Sequence, residues 1–189
     1  MQNLTEKIAG PGPGFLHIIF SVMQFLIAAA GCIMSLTFFF VVILRYGFNA
    51  DLFAYEEWLM VIAFWMIFLA SAVATHNNSH ISADILGIFM KNPKTIWMRS
   101  ILVKSIELFI LLYLTYLGYV MITEEIAAYP NWQMSIALKI PFLVPRLGIA
   151  FGFLMMTIYT ILYLYMLVKE GPSSLADDEN QSVVEGVIS

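Results

Sequence analysis

The sequence predicts an all-α integral membrane protein, with four membrane-crossing helices and an amphipathic interfacial helix between the second and third. Three observations carry this. Of the 189 residues, 61% are hydrophobic and only 12% charged, and the mean hydropathy is +0.85, so the chain holds more apolar surface than a soluble domain of this length buries. The surplus is gathered into four long runs, and those runs are almost free of formal charge. A hydrocarbon layer of roughly 30 Å requires about 20 mainly apolar residues per helix, because lipid gives the backbone no hydrogen-bond partner.

Residues 1–14 form an N-terminal segment, and the first crossing covers 15–45. Its core, Phe15 to Leu44, has no formal charge. Thirty residues at 1.5 Å each make about 45 Å, more than the layer is thick, so the helix tilts or protrudes. A signal peptide would have an apolar part of about 7 to 15 residues, so this run is read as a retained crossing. The single cysteine, Cys32, lies inside it, which leaves no internal disulfide or cysteine metal cluster.

A loop over 46–57 follows, flanked by Arg45 and closed by Glu56 and Glu57. These charges return to one membrane depth, where they either pair across the hairpin or anchor independently. The second crossing covers 58–76, with Trp58 to Thr75 as its uncharged core. Residues 79–99 are read as the interfacial helix and inner loop: Ile81, Ile85, Ile88 and Phe89 follow helical spacing, Ser82 and Asp84 lie off that stripe, and Lys91, Lys94, Trp97 and Arg99 come after it. Asn77, Asn78 or Ser79 can cap its start, and the competing reading is a simple prolongation of the second crossing.

The third crossing, 100–123, is interrupted by Lys104 and Glu107, three apart on one face and able to pair. In the loop over 124–145, Pro130 ends a helix and Pro141 and Pro145 punctuate an apolar stretch, as in a broken, partly buried segment. The fourth crossing covers 146–168. The rest, 169–189, reads as a disordered cytoplasmic tail whose four acids equal the whole formal net charge of −4. No basic nucleic-acid surface remains.

With the N-terminus cytoplasmic, Lys7, Lys91, Lys94, Arg99 and Lys169 lie inside and Arg45, Lys139 and Arg146 outside, which favours that orientation. Four crossings then bring the C-terminus inside too.

Chemistry-bearing constellations are sparse. His17, His76 and His80 all fall near the cytoplasmic face, and His76 and His80 are four apart with Asp84 beyond them. Haem or quinone binding by a redox membrane anchor is the alternative that these histidines raise, against hydrogen-bonded interface histidines. Small residues recur four apart at Gly31 and Ser35, Ala70 and Ala74, and Gly148 and Gly152, a spacing that favours close helix contact without saying whether the neighbour is in the same chain. Trp58, Trp97 and Trp132 read as belt residues. No phosphate-binding glycine loop, GxSxG elbow or HExxH helix occurs, so the chain is not read as an enzyme. The crossings also hold no ionisable group at mid-depth, where a secondary transporter keeps its site.

Arg45-Tyr46 closing the first crossing, Glu56-Glu57 opening the second with Trp65 inside it, His80-Ile81-Ser82-Ala83-Asp84, and Ser135 to Pro141 leading into a glycine-bearing last helix occur in an informative order. Over residues 15–170 the chain resembles the small, DctQ-like membrane subunit of tripartite ATP-independent periplasmic (TRAP) transporters. It departs late in the second crossing, where Ala70 or Ser71 stands in place of an expected glycine. The resemblance implies a bacterial inner-membrane subunit that joins a large permease subunit bearing the substrate and sodium sites. A periplasmic binding protein delivers an organic acid such as a dicarboxylate or sialic acid. This chain would hold no cofactor, metal or substrate site. Arg45, Glu56, Glu57, His80, Asp84, Gly148 and Gly152 are then candidates for the partner interface, and Glu124, Glu125, Lys139 and Arg146 for docking the binding protein.

Overall fold

The computed structural model describes residues 13–77 and 93–171. Four helices account for nearly all of them: α1 (Pro13–Gly47), α2 (Tyr55–His76), α3 (Pro93–Ala127) and α4 (Leu143–Glu170). Each is long and apolar enough to cross a membrane. At 1.5 Å per residue α2 is about 33 Å long, close to the hydrocarbon thickness, whereas α1 and α3 reach about 52 Å and extend beyond it.

The helix ends follow from local chemistry. Pro13 and Pro93 stand first in α1 and α3, and Pro145 lies in the first turn of α4, all places where the missing N–H has no intrahelical acceptor to lose. Ala54, at φ 51°, turns the chain into α2 without a side-chain cap, and Glu56 and Glu57 bring negative charge to that helix's positive end. Gly171, at φ 73°, supplies the left-handed step after α4.

Two of these bounds differ from the sequence expectation. Helix α3 starts at Pro93 and not near residue 100, because nothing between Lys94 and Ile101 interrupts helical geometry; Trp97 and Arg99 belong to its first turns. At the other end α3 runs on through Glu124 and Glu125, which lie in the helix and not in the following loop. The proposed interfacial stripe at Ile81 to Phe89 lies outside the described residues, as does the acidic tail beyond Gly171.

Helix α4 is the centre of the arrangement. Helices α2 and α3 both pack along it, and α1 packs against α2. Met23, Leu69, Ala72, Leu111, Met156 and Tyr159 form the buried core, with at least one residue from every helix. The outward faces of α1 and α3 stay apolar, with Phe25, Phe39, Phe109 and Tyr119 exposed, as lipid contact permits.

Lipid supplies no hydrophobic drive between helices, so their cohesion rests on close fit and interhelical hydrogen bonds. The fit is tightest at Gly152, where a Cβ would lie 2.6 Å from the Cβ of Phe68 and 3.0 Å from its carbonyl oxygen. One turn earlier, a Cβ on Gly148 would meet the Trp65 ring at 3.0 Å. On the opposite flank of α4, Ala150 faces Gly118 of α3 at 3.3 Å in the same sense. Glycines thus let α4 sit close to both neighbours.

Candidate functional site

The two loops that join α1 to α2 and α3 to α4 share one end of the bundle, and Glu57 organises it. Its carboxylate oxygens accept the backbone N–H groups of Ala137 at 2.8 Å and Leu138 at 2.7 Å. The loop those groups belong to is itself a small hairpin. Ser135 N–H donates to the Ile140 carbonyl and Phe142 N–H to that of Gln133, both at 3.0 Å, while Ile140 N–H donates to Ser135 Oγ at 2.9 Å. Lys139, at φ 52°, makes its tight turn. Backbone groups that would face the membrane interface unpaired thereby find acceptors on another element.

Glu125 forms the second tie at this end, taking the guanidinium of Arg146 in the first turn of α4. Its side chain is buried, with 5% of its surface exposed. The pair links the end of α3 to the start of α4.

Along α4, two indoles bond to its backbone at opposite ends. Trp65 of α2 donates Nε1–H to the Val144 carbonyl at 3.0 Å, and Trp97 of α3 to the Leu167 carbonyl at 2.9 Å. Leu167 lies in the last turn, where the helix itself leaves carbonyls unpaired. Between those ends, α3 and α4 share a polar seam. Lys104 Nζ bonds Glu107 Oε2 at 2.9 Å and lies 5.1 Å from the centre of the Tyr163 ring, Thr160 Oγ1 approaches Glu107 Oε1 at 3.5 Å, and Thr115 bonds Thr157 at 2.9 Å. The contacts climb α3 while descending α4, as an antiparallel pair requires.

At the end away from the loops, His76 is buried. Phe20 lies 4.1 Å from its ring centre, Tyr159 meets it edge-on at 5.1 Å, and Asn77 bonds Nδ1 at 3.1 Å. Its neighbours are aromatic rings from α1 and α4.

The predicted site residues therefore divide. Glu57 meets the 133–142 hairpin and not Arg45, which is exposed, as is Glu56. Glu125 and Arg146 meet each other, and the Glu125 carboxylate is buried in that pair. Glu124 and Lys139 are exposed. Gly148 and Gly152 face α2 of the same chain, which answers the question that their spacing left open. His17 is exposed, while His80 and Asp84 lie outside the described residues. Sequence reasoning missed the roles of Trp65 and Trp97 in holding α4. A tryptophan near a helix end looks alike whether its N–H meets water or a carbonyl of another helix, so no signal separated Trp97 from a belt residue.

Among the described residues, no three His, Cys, Asp or Glu side chains converge as a metal site would require. The polar groups described above tie helices and loops together. Fold and site define a multi-pass helical membrane protein. The family described as "Tripartite ATP-independent periplasmic transporters, DctQ component" matches residues 33–170, and the chain belongs to that family. It is also 33% identical over 70 residues to a Haemophilus influenzae protein described as "Putative TRAP transporter small permease protein". That match takes in 37% of this chain and 44% of the relative, less than half the length of each. The chain is thus the small-subunit type of TRAP transporter component, not an enzyme, and the family assignment displaces the redox-anchor reading.

Proposed function

We propose that this chain is the static scaffold of a sodium-driven TRAP transporter that takes up an organic acid, a dicarboxylate, a sialic acid or a similar carboxylate. A large permease subunit binds it stably and carries the solute and sodium sites, and a periplasmic binding protein delivers the solute. The chain itself binds neither solute nor cofactor. It lies in the bacterial inner membrane with both termini cytoplasmic and the 133–142 hairpin on the periplasmic side, in keeping with the distribution of lysine and arginine.

Family membership supports the assembly, and one observation supports the scaffold role in particular. Between their end turns the four helices carry three formal charges, Arg99 in the second turn of α3 and, deeper, Lys104 and Glu107, which pair with each other. An ion-coupled carrier keeps ionisable groups or broken helices near mid-membrane. The cores of α1, α2 and α4 are continuous and uncharged.

Co-purification from membranes tests the reading. The tagged chain, expressed with a large TRAP permease subunit from the same genome, is expected to bring that subunit through size exclusion as a one-to-one complex. Elution of the two as separate species contradicts the reading.

A further inference from the structure

Helices α2 and α3 both lean on α4 and leave a furrow between them. Thr75 of α2, Glu107, Ile110 and Leu111 of α3, and Met156 of α4 line a groove of about 280 Å³ there. Its walls are apolar apart from the threonine and the carboxylate. Glu107 is about a quarter exposed, with 27% of its side-chain surface open. Lys104 satisfies Oε2 at 2.9 Å, but Oε1 has Thr160 only at 3.5 Å, the outer limit of a hydrogen bond. A carboxylate offers about four acceptor positions, so Glu107 has capacity facing a groove inside the hydrocarbon layer, where water does not fill it.

We propose that this groove receives a transmembrane helix of the large permease subunit, which donates a neutral hydroxyl, amide or indole hydrogen to Glu107. The inference rests on the scaffold reading above and assigns the place where the partner docks. Charge selects the donor: Lys104 already balances the carboxylate, so a second cation would leave an excess positive charge in lipid. Depth selects a helix over a lipid headgroup. Glu107 is seven residues along α3 from Ser100, where the third crossing begins, and seven residues span about 10 Å, inside the layer but short of its middle. An ethanolamine headgroup would have to sink that far, whereas a side chain on a crossing helix arrives at that depth without displacement. Ile110, half exposed beside the carboxylate, gives the incoming helix an apolar surface to pack on.

The test uses the complex in detergent, with two variants that alter the groove differently. The double substitution Lys104→Met with Glu107→Leu removes both charges together, so neither is stranded. Ile110→Trp obstructs the groove and leaves the ion pair intact. Each is expected to reduce the retained large subunit at least tenfold, while the variant chain alone keeps wild-type helix content and elution. Wild-type retention by Ile110→Trp overturns the proposal. So does native mass spectrometry showing a phosphatidylethanolamine lost from Ile110→Trp while the permease subunit stays bound. A wild-type chain that retains no large subunit contradicts the scaffold reading as well; retention by wild type and both variants contradicts the groove alone.

Discussion

At Gly152 the neighbours are the Cβ and the backbone of Phe68, none of which can swing aside as the far end of a side chain can. Adding one methyl must therefore move α2 off α4. Gly152→Ala is expected to destabilise the bundle by about 1–3 kcal/mol, the usual range for overpacking, measured by unfolding in mixed micelles. Gly148→Ala presses on the Trp65 ring, which has some freedom to shift, and should have the smaller effect. Equal effects would mean that the two helices do not approach most closely at Gly152. Glu57 acts differently, as the acceptor for two N–H groups of another element. Glu57→Leu should speed hydrogen exchange at Ala137 and Leu138 at least tenfold while leaving exchange in mid-α2 unchanged; unchanged rates at the loop would refute the anchoring role. The sequence placed Glu57 at the start of a crossing, but its partners lie eighty residues away, and no local pattern discloses an acceptor for main-chain groups at that distance.

For whole elements the sequence was more informative, since lipid imposes one rule on every residue that enters it. Four runs without unpaired charge became four helices because the backbone has no other way to satisfy itself there. The limits of α3 were less legible. Pro93 begins it and Glu125 lies within it, although hydropathy alone places both outside the membrane core. A helix ends where capping or tertiary contact ends it, not where the hydrocarbon does. Trp97 shows the consequence, for it sits in a polar stretch and still holds α3 to the last turn of α4. Trp97→Phe keeps an aromatic ring but removes the N–H and part of the indole's bulk, so it should destabilise the α3–α4 pair by at least about 1 kcal/mol, the net worth of one such hydrogen bond. The Glu125 and Arg146 pair secures the opposite end of the same two helices. Combining Trp97→Phe with Arg146→Met should then give additive losses in the same unfolding assay, since the sites are far apart. Strong coupling between them would contradict independent ties.

The described residues present three kinds of surface: apolar outer faces on α1 and α3, a mostly apolar groove between α2 and α3 that holds Thr75 and Glu107, and a hairpin end with charges exposed at Glu56, Glu124 and Lys139. If the hairpin end meets a soluble binding protein, Glu124→Lys should slow uptake more at low salt than at high salt, because surface steering is screened over about 8–10 Å near physiological ionic strength. Glu124 is the appropriate probe because Glu125 is buried against Arg146. Equal slowing at both salt concentrations would remove docking from the account. The central claim is that this polypeptide supports transport without carrying it out, and solute flux in proteoliposomes tests that most directly. Vesicles containing this chain alone, given a sodium gradient, a carboxylate solute and its binding protein, should accumulate nothing above empty vesicles, and adding the large permease subunit should start uptake. Accumulation driven by the small chain by itself would contradict the account.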